Sequence, residues 1–140
     1  MRFLVDTNVF LDYFLDRDEA AEEAETFFKN CYRLRHQIYV SAMSMRDIGY
    51  VAHHILHDNA KARDIQIRTY GLVSKICDTS ADAAIDSLYE DNFDYEDMMQ
   101  IDTARDVMAD AIITNDRKGF KNAHIRVFSP KIINEYLNKM

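Results

Sequence analysis

Glycine and proline are nearly absent from this chain, at three and one of 140 residues. Few positions are therefore available for long irregular connections, and the composition predicts short loops and many helices. Cysteine is almost as scarce. Cys31 and Cys77 are far apart and lack metal-type spacing, so neither a disulfide framework nor a zinc site is expected, only buried, reduced thiols. There is no apolar run of about 18 residues, which excludes a bilayer-spanning helix. The N-terminus has no basic stretch followed by an apolar core and a cleavage site, so secretion is not expected and a cytoplasmic protein is. Positive charge is also in deficit, with 17 Lys and Arg against 24 Asp and Glu and a net charge of −7. That balance argues against non-specific nucleic-acid binding, where phosphate contacts dominate affinity. It does not argue against a nuclease, because acids gathered around divalent cations act differently from acids spread over a surface.

The remaining sequence is organised from its first dozen residues. Phe3, Leu4 and Val5 form an apolar run without alternation, the pattern of a strand buried on both faces. The run stops at Asp6, a charge that would be costly in the same core. Thr7 or Asn8 then opens a helix carrying Val9, Phe10, Tyr13 and Phe14. A second helix is predicted from Glu19 to His36, acidic at its start and basic at its end as the helix dipole favours. Ala24, Phe27, Phe28, Cys31 and Leu34 supply its buried stripe. The Tyr13–Phe14 and Phe27–Phe28 pairs are expected in the core or at a dimer contact rather than as base-stacking platforms.

Residues 37–41 read as a second strand, followed by a helix capped by Ser41 or Ser44 and running to His57. Another helix follows over 60–75, with Ile65, Thr69 and Leu72 inward and Gly71 a weak point. A short edge strand is expected within 74–78, and Thr79 or Ser80 caps the next helix. After a loop at 91–94 come a helix over 95–108, a strand over 109–114 and a last strand over 125–128. Ser129-Pro130 starts a C-terminal helix, with proline suited to its first turn. Strands alternating with helices imply right-handed crossovers. The expected fold class is α/β, a three-layer α/β/α arrangement with a mostly parallel central sheet of four to five strands, in a single domain over 1–140. No internal repeat or linker is visible.

Two of these strands run into acids, Asp6 after Phe-Leu-Val and Asp116 after Ala-Ile-Ile-Thr-Asn. In a parallel sheet both lie at the carboxyl edge, where ligand crevices form. Asp47 and Asp97 are each expected near the first turn of a helix that follows a strand or loop. Four carboxylates from distant segments would then converge. Such a cluster is unfavourable alone, since like charges raise one another's pKa. It becomes sensible around Mg²⁺ or Mn²⁺, which favour carboxylate and water oxygens. Two such ions about 4 Å apart can activate water and stabilise both oxygens of a phosphodiester displacement. For any one Asp, the plainer reading is a helix cap or a solvated loop; it is the coincidence of four that points to chemistry.

In sequence order, Phe3-Leu-Val-Asp-Thr-Asn-Val-Phe-Leu-Asp12 resembles the opening motif of PIN-domain nucleases. Asp94-Tyr-Glu-Asp-Met-Met-Gln100 and Ala111-Ile-Ile-Thr-Asn-Asp116 resemble that family's third and fourth acidic motifs, and Ser41-Ala-Met-Ser-Met-Arg-Asp47 fills the second. The resemblance covers essentially the whole chain. It implies a Mg²⁺- or Mn²⁺-dependent endoribonuclease acting on single-stranded or structured RNA, often the toxin half of a VapC-like toxin–antitoxin pair. Asp6, Asp47, Asp97 and Asp116 would be the catalytic acids, with Asp6, Asp97 and Asp116 holding metal and orienting water. Asn8 and Thr114 would be supporting polar groups. A small antitoxin protein and a homodimer are the implied partners.

Three positions depart from the family pattern. Asp47 stands where Glu is usual, one methylene longer. Gly119 sits where an additional acid is common, and Met108 replaces a usual helix-ending glycine. Asp97 is preferred over its neighbours Asp94 and Glu96 because Met98, Met99 and Ile101 follow it as a core stripe. Asp102, about 140° round the helix from Asp97, is expected to be solvated.

Other features carry less. His53 and His57, at i and i+4, could share a ligand but lack the Glu of a His-Glu-x-x-His site and a third ligand, so an exposed surface is expected. Arg117 and Lys118, with Lys121 and the stretch Lys61, Arg63 and Arg68, could meet RNA phosphates or be ordinary exposed faces. Phosphate-transfer folds that also place Asp after a first strand, receiver domains and haloacid-dehalogenase-type phosphatases, fit poorly because their partner residues are misplaced here. The alternative from another class is a PIN-like RNA- or protein-binding module with weak or no turnover, for which Asp47 and Gly119 are the supporting features.

Overall fold

The computed structural model describes residues 1–140. Five strands form one sheet: β1 (Arg2–Val5), β2 (Gln37–Ser41), β3 (Lys75–Cys77), β4 (Ala111–Ile113) and β5 (Arg126–Phe128). Their order is β3-β2-β1-β4-β5, and every pairing is parallel. Seven helices cover the two faces: α1 (Thr7–Phe14), α2 (Asp18–Leu34), α3 (Ala42–Leu56), α4 (Asn59–Leu72), α5 (Ala81–Ser87), α6 (Tyr95–Asp106) and α7 (Pro130–Leu137). The expected three-layer α/β/α architecture is therefore present, with the sheet parallel throughout. No helix is long and apolar enough to cross a membrane.

The apolar run in β1 does what its lack of alternation implies. Phe3 and Val5 pack on one face among α1, α2, α3, α4 and α7, while Leu4 faces α6 on the other with Tyr39 and Ile112. Phe27 and Phe28 are buried and pack with Phe3, Phe10 and Tyr13, so the aromatic pairs belong to the core. Cys31 and Cys77 are buried and unpaired, and burial pushes the Cys31 thiol up to about 12, leaving it inert.

Helix ends follow local chemistry. Ser41, Asp58, Ser80 and Ser129 each cap a helix by accepting a backbone N–H two or three residues inside it. Several predicted boundaries shift: α2 ends at Leu34 with Arg35 left-handed, α3 ends at Leu56 with His57 left-handed, and α4 stops at Leu72. His57 is thus the left-handed residue that closes the helix rather than one within it. Asp102 departs from expectation too. Its carboxyl is largely covered, one oxygen is buried without a partner, and desolvation raises its pKa. The angle from Asp97 is as expected, but α5 packs on that side of α6 and removes the solvent.

Met108, in place of the usual helix-ending glycine, adopts φ 54 and is 72% exposed. A left-handed L-residue costs roughly 1–2 kcal/mol, and an exposed side chain returns little packing. Met108→Gly is expected to stabilise the chain by about 1 kcal/mol, net of the added freedom of the unfolded glycine. Urea unfolding measures this; a lower midpoint in the variant would show that the left-handed turn carries no strain.

Candidate active site: an acidic cleft at the β1–β4 junction

The sheet runs outward in opposite directions from β1, through β2 on one side and β4 on the other. Connections diverge at this switch point, leaving a crevice beyond the carboxyl ends of the two strands. Val5 pairs with Ile113, and the Asp6 N–H donates to the Ile113 carbonyl at 2.9 Å. Register alone therefore brings the residues after Val5 and Ile113 together.

Asp6 leaves the strand and caps α1. Each of its oxygens accepts two hydrogen bonds. One takes the Thr7 N–H at 2.9 Å and the Gln100 amide at 3.0 Å; the other takes the Thr114 hydroxyl at 2.8 Å and the Asn8 amide at 3.2 Å. Thr114, wholly buried, also accepts the Asp116 N–H at 3.0 Å. Asn8 accepts the Asn115 N–H at 3.1 Å. The two residues expected to be supporting polar groups thus tie Asp6 to the loop that carries Asp116.

Asp6, Asn8, Asp47, Asp97 and Asp116 all line one cleft of about 420 Å³, together with Arg46, Tyr50, Glu96 and Gln100. Within it the acids are unequal. Asp97, in the first turn of α6, has a carboxyl pushed up to about 6, first by desolvation and then by the charges of Asp6 and Asp116, with Asp94 and Glu96 adding to them. Asp47 is not among those perturbing charges. It lies in the second turn of α3 rather than the first, because the helix begins already at Ala42, and it pairs with Arg46 at 3.1 Å. Three acids therefore interact electrostatically, and the fourth faces the cleft with a cation beside it. Arg117 and Lys118 stand exposed on a 3-10 turn after Asp116 and do not line the cleft.

Gly119, on that same turn, explains one departure from the family pattern. A Cβ there would lie 2.5 Å from an Asp97 carboxyl oxygen and 3.2 Å from one of Asp116. The glycine lets the turn close onto both carboxylates, and any side chain at this position would have to push Asp97 aside.

The sequence reading missed Gln100. It is 3% exposed, donates to Asp6 and, at 2.8 Å, to Ser44, and leaves its own carbonyl oxygen buried without a partner. Its signal was a polar residue set among Met98, Met99 and Ile101, three positions after Asp97. Ser44 also accepts from Thr7 at 2.9 Å, so α1, α3 and α6 meet behind Asp6. Asp12 was missed likewise. Buried on α1, it accepts from Asn115 at 2.7 Å and pairs with Arg17 at 3.3 Å.

The donor set suits a hard divalent cation. Asp97 and Asp116 accept no hydrogen bond from the protein, so their oxygens are open. No trio of acidic, histidine or cysteine side chains closes into a preformed cage.

The family profile described as the PIN domain matches residues 2–118. The chain belongs to the PIN domain family. No curated protein sequence matches it. Among solved structures, its PIN fold is similar to a chain of VapBC2 from Rickettsia felis bound to a DNA fragment from their promoter. That match has a TM-score of 0.64 at 16% identity and covers 92% of this chain and 98% of the other. At this identity the likeness is one of fold.

The raised Asp97 value has a consequence for the ion-free PIN domain. The ordinary value is 3.8 and the folded value about 6, so the folded chain holds this proton more tightly than the unfolded chain. The associated stability is full below about pH 4 and falls as pH rises through about 6. Asp97→Asn should therefore exceed the wild type at about pH 7.5 by about 1 kcal/mol, a value discounted because the carboxyl is only partly buried. Near pH 4 the two should agree. Urea unfolding at both pH values is the measurement, and an equal gap at both would remove the electrostatic explanation.

Proposed function

We propose that this chain is a divalent-metal-dependent endoribonuclease of the PIN family, acting as the toxin of a two-protein toxin–antitoxin pair in the cytoplasm. The observation that supports the reading is the convergence of Asp6, Asp97 and Asp116 on one open cleft, where burial and the other two charges raise the Asp97 pKa, a cost that a bound Mg²⁺ or Mn²⁺ would remove. Asp97 and Asp116 would hold the ion through their open oxygens. Asp6 would add its charge beside them. When bound, the ion lowers the pKa of water and neutralises charge on the phosphate oxygens.

The chain's own residues do the rest. Thr114, Asn8 and Gln100 hold the Asp6 carboxylate in one orientation, so no rearrangement of that charge is needed when substrate arrives. Thr114 also fixes the start of the loop bearing Asp116. Asp47 orients Arg46 at the rim, where a guanidinium can meet a phosphate. Arg117 and Lys118 offer further phosphate contacts outside the cleft. The chain that resembles this fold belongs to VapBC2 bound to a DNA fragment from their promoter, in keeping with the resemblance of the acidic motifs to VapC-like toxins. By analogy, a small antitoxin would inhibit this chain by inserting a basic residue among the acids, and the active form would be a homodimer.

Mn²⁺ at about 100 times its dissociation constant should stabilise the wild type by about 2.7 kcal/mol, seen as a rise in Tm. The rise should be lost in Asp97→Asn and Asp116→Asn. Cleavage of single-stranded RNA with Mn²⁺ should fall by a factor on the order of 100 in Asp6→Asn and Asp97→Asn. Equal cleavage by wild type and both variants, with no Mn²⁺-dependent Tm shift, would overturn the nuclease reading in favour of a binding module.

A further inference from the structure

The acidic excess of this chain is confined to one region. Between positions 76 and 104 there are nine acids and no Lys or Arg, so the remaining 15 acids are outnumbered by the 17 basic residues elsewhere. That region contains α5 and most of α6, and Glu96 and Asp97 form one wall of the cleft. A polyanion is repelled along that wall. The opposite wall, α3, presents Arg46 and Tyr50, and beyond Tyr50 the surface continues into a second recess of about 510 Å³ lined by Tyr50, His53, Asn59, Arg63 and Gln66. Tyr50 is shared by both and is 66% exposed.

This recess has a constructed floor. Gln66 of α4 donates to the Met45 carbonyl of α3 at 2.8 Å and accepts from Arg63 at 3.1 Å. A Cβ on Gly49 would overlap the Gln66 amide, so it is the glycine that allows that amide to lie flat against α3. Arg63 is thereby held over the recess although its side chain is solvent-exposed. At the junction with the cleft, the Arg46 guanidinium sits 5.9 Å from the Tyr50 ring centre and 3.1 Å from Asp47. An exposed aromatic ring with one guanidinium against it and a second lining the same recess is a combination that suits single-stranded nucleic acid, the ring stacking a base and the cations meeting flanking phosphates.

We propose that the α3–α4 recess is a nucleotide subsite adjoining the acidic cleft, with a base of single-stranded RNA stacked on Tyr50 and its phosphates met by Arg46 and Arg63. The substrate strand then crosses the cleft from the α3 side and leaves the acidic α5–α6 wall uncovered. The subsite rests on the nuclease reading for its substrate class, but it is tested by binding independently of turnover.

The experiment uses the full chain carrying Asp97→Asn to suppress cleavage, with a fluorescent single-stranded RNA ten-mer as the probe and anisotropy as the readout. Adding Tyr50→Ala should weaken affinity by roughly 5- to 150-fold, the range for loss of one base–aromatic stack. Tyr50→Phe keeps the ring and should stay within about twofold. Arg63→Gln should lower the slope of log affinity against log salt by about 0.7, one phosphate contact on a single strand. In the chain with Asp97 intact, the Tyr50→Ala effect should fall on KM rather than kcat. Circular dichroism, and an unchanged Mn²⁺-dependent Tm shift when the same substitutions are made with Asp97 intact, exclude misfolding. Unchanged affinity and salt slope in Tyr50→Ala and Arg63→Gln would overturn the subsite and leave the recess as a protein-docking surface. That failure is separate from failure of the nuclease reading, which would show as equal background cleavage by wild type and Asp97→Asn with no Mn²⁺-dependent Tm shift.

Discussion

Repulsion among Asp6, Asp97 and Asp116 is the constraint around which the rest of the molecule is arranged. Three carboxylates cannot share a partly desolvated crevice without hydrogen-bond donors or a shifted pKa to offset the cost, and the structure shows both kinds of response. Asp6 is stabilised by four hydrogen-bond donors drawn from α1, α6 and the end of β4. Asp97 has no such partners, and it carries the raised pKa. The two acids therefore divide their roles. One is a carboxylate held in place by a polar cage, and the other is an open group whose pKa is raised by burial and by its acidic neighbours.

The fold makes that arrangement possible by geometry more than by local chemistry. A parallel sheet with β1 at its centre places the carboxyl ends of β1 and β4 side by side, and the chain must diverge from them. Helix α6 then packs under the sheet through Met98, Ile101 and Ala104, which sets its first turn, and hence Asp97, against the same crevice. Gln100 lies between those core contacts and reaches Asp6 and Ser44 from below. Apolar packing thus fixes a helix whose polar residues do the positioning. Gly119 completes the enclosure by keeping the turn after Asp116 free of a side chain. What looks in the sequence like a lost acid is, in the structure, the space that Asp97 occupies.

Much of this was legible in the sequence. The unbroken run Phe3-Leu-Val announced a strand covered on both faces, and the serine caps marked where helices begin. Asp6 and Asp116 could be placed at one sheet edge because each follows an apolar strand. The errors have physical causes. Asp102 was expected in water because a helical angle gives direction but not what lies in that direction, and α5 lies there. His53 and His57 were set on one face by counting residues, although a left-handed backbone at His57 ends the helix first. Asp47 was put one turn too early because Ser41 and Ser44 are equally good caps on paper, and only the accepted hydrogen bond distinguishes them.

The sequence by itself determined the order and type of the elements, the burial of the central strands and the identity of the acids that could meet. These depend on periodicity, propensity and capping, which act over a few residues. Tertiary structure alone decided which acids interact and which is paired with Arg46. It also decided that Gln100 and Asp12 hold the site together, and that Tyr50, Gly49 and Gln66 shape a recess beside it. Those outcomes depend on hydrogen bonds of 2.7 to 3.0 Å between segments 21 to 103 positions apart, and local patterns carry no information at that range.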